Sequence, residues 1–260
     1  MSAHIEKAAV RRLLSFLLLI SLWEVLSRAG VINPFYAPAP SEILRVVFSL
    51  FIEGTIYNHL EATFTAAFAG LVIGLVLGIV LGFAAALIPL VADVLEPIML
   101  LLNAIPRVIL APLFVIWLGI EISSKIALAV VLVAVLIFFA VYNGIKDVNP
   151  LFVDRVRTLG GGRAILLREV YIPSVTAWVL GSLKVAVGFA FTGACVGEFV
   201  AATRGLGYLL QFAQSTYNAA LTMGLIFLIM GFVLMLFFCA EAIERRLLRW
   251  RHRGADQRAA

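Results

Sequence analysis

Three ionisable side chains, Arg107, Lys184 and Glu198, stand inside long apolar runs. A charge held in hydrocarbon is expensive, so each must face other helices or a wet cavity. Two readings follow. In one, these residues and Asn103 line a path for a polar solute, with Arg107 or Lys184 attracting an anion. In the other they are structural: Glu198 pairs with Lys184 or Arg107, or a long side chain snorkels to an interface. No paired carboxylates, Ser/His/Asp set or Cys/His cluster occurs at catalytic or metal-ligand spacing, and His4, His59 and His252 lie outside the apolar runs. No GxxxxGK[ST] string offers a phosphate cradle. The expectation is therefore no catalytic residue, no metal and no cofactor. Cys195 and Cys239 fall inside apolar runs and read as small buried hydrophobes rather than a disulfide.

The elements that must position these charges are membrane spans. The 260 residues are 63% hydrophobic and 13% charged, and the mean hydropathy is +1.08. A soluble domain carries about 25% charged residues, and no soluble core of this size could hide so much apolar surface. The apolar runs are near the ~20 residues a helix needs to span, and they do not alternate as barrel strands do. The fold class expected is all-α, a polytopic membrane protein of about six transmembrane helices forming one domain over 1–260.

The spans are read at 13–26, 63–87, 97–118, 126–145, 174–200 and 221–240. RRLLSFLLL opens a retained first span rather than a cleaved or twin-arginine signal, because no small-x-small site closes the run. Trp23 suits an interfacial anchor, and Glu24 sits either at the outer boundary or against other helices. Segment 29–62 is broken by Pro34, Pro38 and Pro40. Ser41 can then cap a helix that carries Glu42 in its first turn and Ile43, Leu44, Val47, Leu50 and Phe51 at helical spacing, an amphipathic element on the outer face. In the second span Gly70, Gly74, Gly78 and Gly82 recur every fourth residue, a stripe that lets another helix backbone approach closely, either within the chain or across a dimer seam. A short turn is expected at 89–96. Asn103, Pro106, Arg107 and Pro112 interrupt the third span, a backbone tolerated at membrane depth only against protein or water. Glu121, Ser123, Ser124 and Lys125 make the next turn, and Thr203, Arg204, Gly205 and Gly207 open an outer loop running to Asn218.

The net charge of +5 is placed by topology. Fourteen of the 20 Lys and Arg fall in 1–12, 146–173 and 241–260, and four fall in the opposite loops. Cytoplasmic loops collect Lys and Arg, so both termini and the 146–173 segment are expected inside a cell inner membrane. Within that segment, 154–159 can form a short helix, ended by Gly160, Gly161 and Gly162 because glycine accepts a left-handed exit. A second short helix over 163–170 follows, and Pro173 suits the first turn of the fifth span. Two short helices fixed to two spans make a rigid handle that can pass on a push.

This segment resembles the cytoplasmic loop of ATP-binding-cassette importer permeases, whose pattern is EAA, three residues, G, nine residues, I-x-L-P. Here it reads DRV-RTL-Gly160, nine residues, then Val170-Tyr171-Ile172-Pro173. RTLG, REVYIP, PAPSEIL, IPRVILAPLFVIWLG and GEFVAATRGLGYLL resemble the nitrate, sulfonate and taurine branch, and the likeness runs over nearly the whole chain. Asp154 stands where glutamate is usual, and Arg155 and Val156 replace the two alanines. The resemblance implies a permease that pairs with a second permease chain, most simply as a homodimer. It implies a separate ATP-binding ATPase subunit docked on Asp154, Arg157, Leu159, Gly160, Gly161, Arg163, Leu167, Val170 and Pro173. It also implies an extracytoplasmic substrate-binding protein that delivers a small solute, an anion such as nitrate, sulfonate or taurine, with a pyrimidine-type precursor left open. An ion-coupled secondary transporter is the competing class. It would need midplane carboxylates and inverted halves, and the sequence offers Glu198 alone.

Overall fold

A computed structural model of the chain describes residues 2–247 and consists of helices joined by short turns. In order these are α1 (Ser2–Arg28), α2 (Pro40–Ile52), α3 (Ile56–Leu87), α4 (Pro89–Ala104), a 3₁₀ turn (Arg107–Ile109), α5 (Leu110–Leu118), α6 (Ile122–Lys146), α7 (Pro150–Thr158), α8 (Arg163–Leu166), a π turn (Leu167–Tyr171), α9 (Ile172–Val200), α10 (Leu206–Ser215) and α11 (Ala219–Leu247). Among the described residues, four segments are long and apolar enough to cross a membrane unbroken: Ile56–Leu87, Ile122–Lys146, Arg163–Val200 and Ala219–Arg246. The remaining two expected spans correspond to α1 and to the broken pair α4–α5. The basic tail beyond 247 lies outside the described residues.

α6 is the axis of the packing. Two thirds (67%) of its most apolar window is buried, against 17% for α11. Its partners are α3 on one side and α9 on the other. The α3 contact is made by the glycine stripe. A Cβ built on Gly74, Gly78 or Gly82 would lie 2.7 Å from the Cβ of Val133, Ile137 or Val141 respectively, and one on Gly70 would meet Ala129. The four-residue repeat of α3 thus reads the four-residue repeat of α6, and backbone meets side chain with no room for a methyl group. Of the two uses left open by the sequence, packing within this chain is the one observed.

Several boundaries differ from the sequence expectation. Residues 89–96 are not a turn: the break is confined to extended Ile88, and Pro89 starts α4 at a position where its missing N–H costs nothing. Ser41 does not cap α2. Ala39 precedes the helix and Pro40 opens it, while Ser41 gives its backbone N–H and its hydroxyl to the Glu24 carboxylate at 3.0 and 2.7 Å. An anion from α1 therefore serves the positive end of α2. Segment 163–170 is not a separate helix; it runs through the π turn straight into α9. Pro173 explains the π turn. A proline inside a helix lacks one N–H and crowds the carbonyl four residues back, and widening the preceding turn relieves both. Lys125 belongs to α6, not to the turn before it, and is 3% exposed, with its ammonium on the Ile120 carbonyl and the Ser124 hydroxyl. Cys239 is exposed on α11 rather than buried.

The seam predicts opposite signs for one substitution at two glycines. Gly74→Ala should destabilise by about 1–3 kcal/mol through overpacking against Val133. Gly181→Ala, whose Cβ would meet nothing within 4 Å, should stabilise by about 0.5–1 kcal/mol through backbone entropy. Unfolding of the detergent-solubilised protein, followed by circular dichroism, checks both.

Candidate functional site: a coupling elbow and an outer latch

The elbow begins where α6 ends. The Asn149 side chain accepts the Leu151 N–H at 3.0 Å, and Pro150 takes the first helical position, so α7 is capped and pre-set at its start. At its end Gly160 has φ +78°. Gly160 N–H reaches the Arg157 carbonyl at 2.9 Å, and Gly161 N–H reaches the Val156 carbonyl at 2.8 Å. These are the two hydrogen bonds of a Schellman exit. A Cβ on Gly161 would lie 2.5 Å from the Val156 side chain, so this glycine also lets the chain fold back on the helix.

Among the helices, α7 packs chiefly on α8. It carries Leu151 and Phe152 exposed at 72% and 57%, with Leu159 at 81% just past its end. Exposed Asp154, Arg155, Arg157 and Arg163 surround them. A cleft of about 680 Å³ separates the elbow from the start of α9, with Phe152, Arg155 and Val156 on one wall and Glu169, Val170 and Pro173 on the other. Leu166 is buried and Leu167 half-buried, so they anchor the hinge.

The base of the elbow is stiff. Ser174 donates its hydroxyl to the Gly144 carbonyl at 2.8 Å, and a Cβ on Gly144 would strike the Trp178 ring at 2.9 Å. The end of α6 and the start of α9 are therefore clamped together. On the same end of α6, Tyr142 donates to Glu96 of α4 at 2.6 Å, and the Lys146 ammonium lies 4.1 Å from the centre of the Tyr142 ring.

The intramembrane residues do not form one group. Glu198 and Lys184 are fourteen residues apart on α9, about 21 Å along the axis. Lys184 pairs with Glu241 of α11 at 3.2 Å, which corrects the expected pairing with Glu198. Asn103 is exposed in the last turn of α4. Arg107 falls in the 3₁₀ turn at the break, and its side chain lies outside the described residues. The break is built from extended Ile105, Pro106 and that turn; after α5 the chain reverses at Gly119, φ +81°.

Glu198 has a different task. It is 3% exposed and accepts Thr63 Oγ1–H at 2.8 Å and Gly207 N–H at 2.9 Å. Thr63 in turn accepts Leu206 N–H at 2.8 Å, and His59 Nδ1 accepts Gly205 N–H at 3.0 Å. Three successive N–H groups at the start of α10 are thus taken by three side chains, two from α3 and one from α9. Gly205 sits at φ +123°, and a Cβ there would collide with the Glu198 carboxylate. The sequence reading singled out Glu198, Gly205 and Gly207 but missed His59 and Thr63. Their signal was available: they are four residues apart, hence on one face of α3.

A bundle of interrupted and unbroken spans, with a capped helix held out at one end and a latched loop at the other, defines a membrane transport permease. Residues 74–252 match the family described as "Binding-protein-dependent transport system inner membrane component", and the chain belongs to that family. It is 31% identical to the formylaminopyrimidine transport permease ThiX of Halalkalibacterium halodurans, covering 94% of this chain and 96% of that one. It is 29% identical to the taurine transport system permease TauC of Escherichia coli strain K12, over 89% and 86%. It is 28% identical to the putative aliphatic sulfonates permease SsuC of Bacillus subtilis strain 168, over 90% and 85%. Its fold is that of a solved amino acid ABC transporter (TM-score 0.63, 17% identity, 76% of this chain and 97% of that one) and of the inward-facing MetNI methionine ABC transporter (TM-score 0.59, 21% identity, 76% and 96%).

The latch is testable on its own. Thr63→Val keeps the shape but strips the Leu206 N–H and Glu198 of a partner, and should cost about 1–3 kcal/mol. Thr63→Ser should restore most of it. Amide exchange at 205–207 reads the difference: fast in the valine variant, slow in the serine variant.

Proposed function

We propose that this chain is the homodimeric membrane subunit of an importer for a small organic anion of the sulfonate or taurine kind. A separate ATP-binding subunit docks on α7 and hydrolyses the ATP, and an extracytoplasmic binding protein delivers the solute. The observation that carries the reading is the elbow. A helix capped at both ends presents Leu151, Phe152 and Leu159 to solvent and rests on the clamped junction of α6 with α9. An apolar knob on a rigid base suits a groove in a partner, and any displacement of α7 must move two spans together.

In this reading Asp154, Arg157, Leu159, Gly160, Gly161 and Arg163 meet the ATPase subunit, while Leu167, Val170 and Pro173 form the hinge behind them. The charge asymmetry puts the elbow and both termini in the cytoplasm. It then puts α2, α10 and the 201–205 turn outside, where the binding protein would touch. ATP binding in the partner would shift the dimer between inward-open and outward-open populations. The path would run past the break at Asn103 and Arg107, because irregular backbone at that depth must line protein or water. The taurine and sulfonate relatives favour an anion, and a cation at the break suits one.

Two measurements test this in vesicles reconstituted with the partner ATPase and binding protein. Gly160→Val forces a β-branched residue to a left-handed φ, a strain of about 1–2 kcal/mol. It should lower solute-stimulated ATP hydrolysis roughly tenfold while the spans stay folded. Full ATPase association and transport in that variant would count against the docking. Arg107→Gln should depress uptake of taurine or alkanesulfonates more than uptake of a neutral pyrimidine. An unchanged profile would remove Arg107 from the path.

A further inference from the structure

α4 is held differently from the core helices. It carries no glycine, so it cannot seat against a neighbouring backbone as α3 does. Extended residues bound it at both ends, Ile88 before and Ile105 after. It rests mainly on α3 and touches α6 over a smaller surface. Pro97 stands inside it and lacks the N–H that would hold the Asp93 carbonyl, so the helix is softest there. The turns beyond run on to Asn103 and the break. A segment hung in this way needs a directional contact to fix its place.

Two residues join it to α6. Met99 is buried in one cluster with Phe138 and Tyr142, but a thioether adapts its shape and specifies little. Glu96 is specific. Its carboxylate accepts the Tyr142 hydroxyl at 2.6 Å, the length of a charge-assisted bond. Tyr142 is 3% exposed, and its ring is stacked on Phe138 with centroids 5.6 Å apart, so packing sets the direction of its hydroxyl. One turn on, the Lys146 ammonium lies 4.1 Å from the centre of the same ring. Lys146 is the last residue of α6, and Asp147 to Asn149 then lead into α7. From elbow to break the contacts run without a gap: Lys146 on Tyr142, Tyr142 on Glu96, and two turns of α4, about 10 Å, from Glu96 to Asn103.

A phenylalanine at 142 would fill the same space beside Phe138. The hydroxyl adds a group that is costly to bury without an acceptor. Its acceptor lies on the loosely held α4, and not on α3 or α9, which are already locked to α6.

We infer that Tyr142 and Glu96 are a positioning pair that makes the broken span follow the elbow. When α7 moves α6, the bond draws the Glu96 turn of α4 with it, and the break at Asn103–Arg107 moves in step. This role rests on the importer reading.

Vesicles reconstituted with the partner ATPase and binding protein test it, with solute moved per ATP hydrolysed as the readout, beside the ATPase rate and the melting temperature. Tyr142→Phe keeps the ring stack and loses only the hydroxyl. It should move roughly fivefold less solute per ATP, with ATPase rate and melting temperature close to wild type. Glu96→Ala should match it, and the Tyr142→Phe/Glu96→Ala double variant should be no worse than either alone. Glu96→Gln keeps an acceptor and should stay near wild type. A wild-type ratio in Tyr142→Phe, or additive losses in the double variant, would overturn the pair. So would a joint fall of transport, ATP hydrolysis and melting temperature, the mark of a merely structural contact. Wild-type vesicles that move no solute with ATP would instead bring down the importer reading, and this role with it.

Discussion

The structure depends on how closely two backbones can approach in a solvent that does not push them together. In water a helix pair is driven by burial of apolar surface; in lipid that drive is absent, and contact must be won by dispersion at short range. The Gly70, Gly74, Gly78 and Gly82 stripe meets that demand by removing every side chain from one face of α3, so that Ala129, Val133, Ile137 and Val141 of α6 sit against bare backbone. Everything else is referred to this seam. α9 joins it with its own small residues: a Cβ on Gly193 would lie 2.7 Å from the Ala129 backbone, and one on Gly197 would lie 3.2 Å from Lys125.

The elbow and the latch stand at the two ends of that three-helix core. At one end α6 passes into α7, and Ser174 and Trp178 tie α9 to Gly144. At the other, α3 contributes His59 and Thr63, and α9 contributes Glu198, to hold α10. Core packing at native density does not bend continuously; it moves as a block or not at all. In the proposed reading, a displacement delivered to α7 would be carried through α6 and α9 toward the latched turn at 205–207. The π turn at Leu167–Tyr171 fits the same logic, because it keeps α8 and α9 one continuous element where Pro173 alone would have introduced a flexible kink.

The features legible in the sequence are those fixed by local geometry or by the solvent. The glycine repeat, the Gly160–Gly162 exit and the polar break at Asn103–Arg107 each have a cause within a few residues, or in the bilayer itself. What was not legible has its cause elsewhere in the chain. Nothing near Ser41 reveals that Glu24, seventeen residues earlier, would serve its helix. Nothing near Glu198 reveals that Thr63, 135 residues away, would be its partner. Of the structural pairings that the sequence allowed for Lys184, the one with Glu198 is ruled out by fourteen residues of helix, and the partner found, Glu241, lies on another span. Pro173 does stand in the first turn of α9, but nothing local announces that a π turn joins α8 to it without a break, because π turns are rare.

The use of Glu198 also bears on how the chain can be driven. A carboxylate that couples an ion gradient must exchange its partner during the cycle, binding the ion in one state and releasing it in another. Glu198 is instead spent on a hydroxyl and a backbone N–H, in a corner where the Gly207 N–H would lose its partner if it turned away. Glu24 and Glu241 are similarly committed, to Ser41 with Arg28 and to Lys184 with Arg245. These carboxylates hold structure together, which favours the proposed reading in which the work of moving a solute enters from outside the bilayer. In that reading α7 would receive it: its Leu151 and Phe152 are exposed, and its base adjoins the clamped ends of α6 and α9.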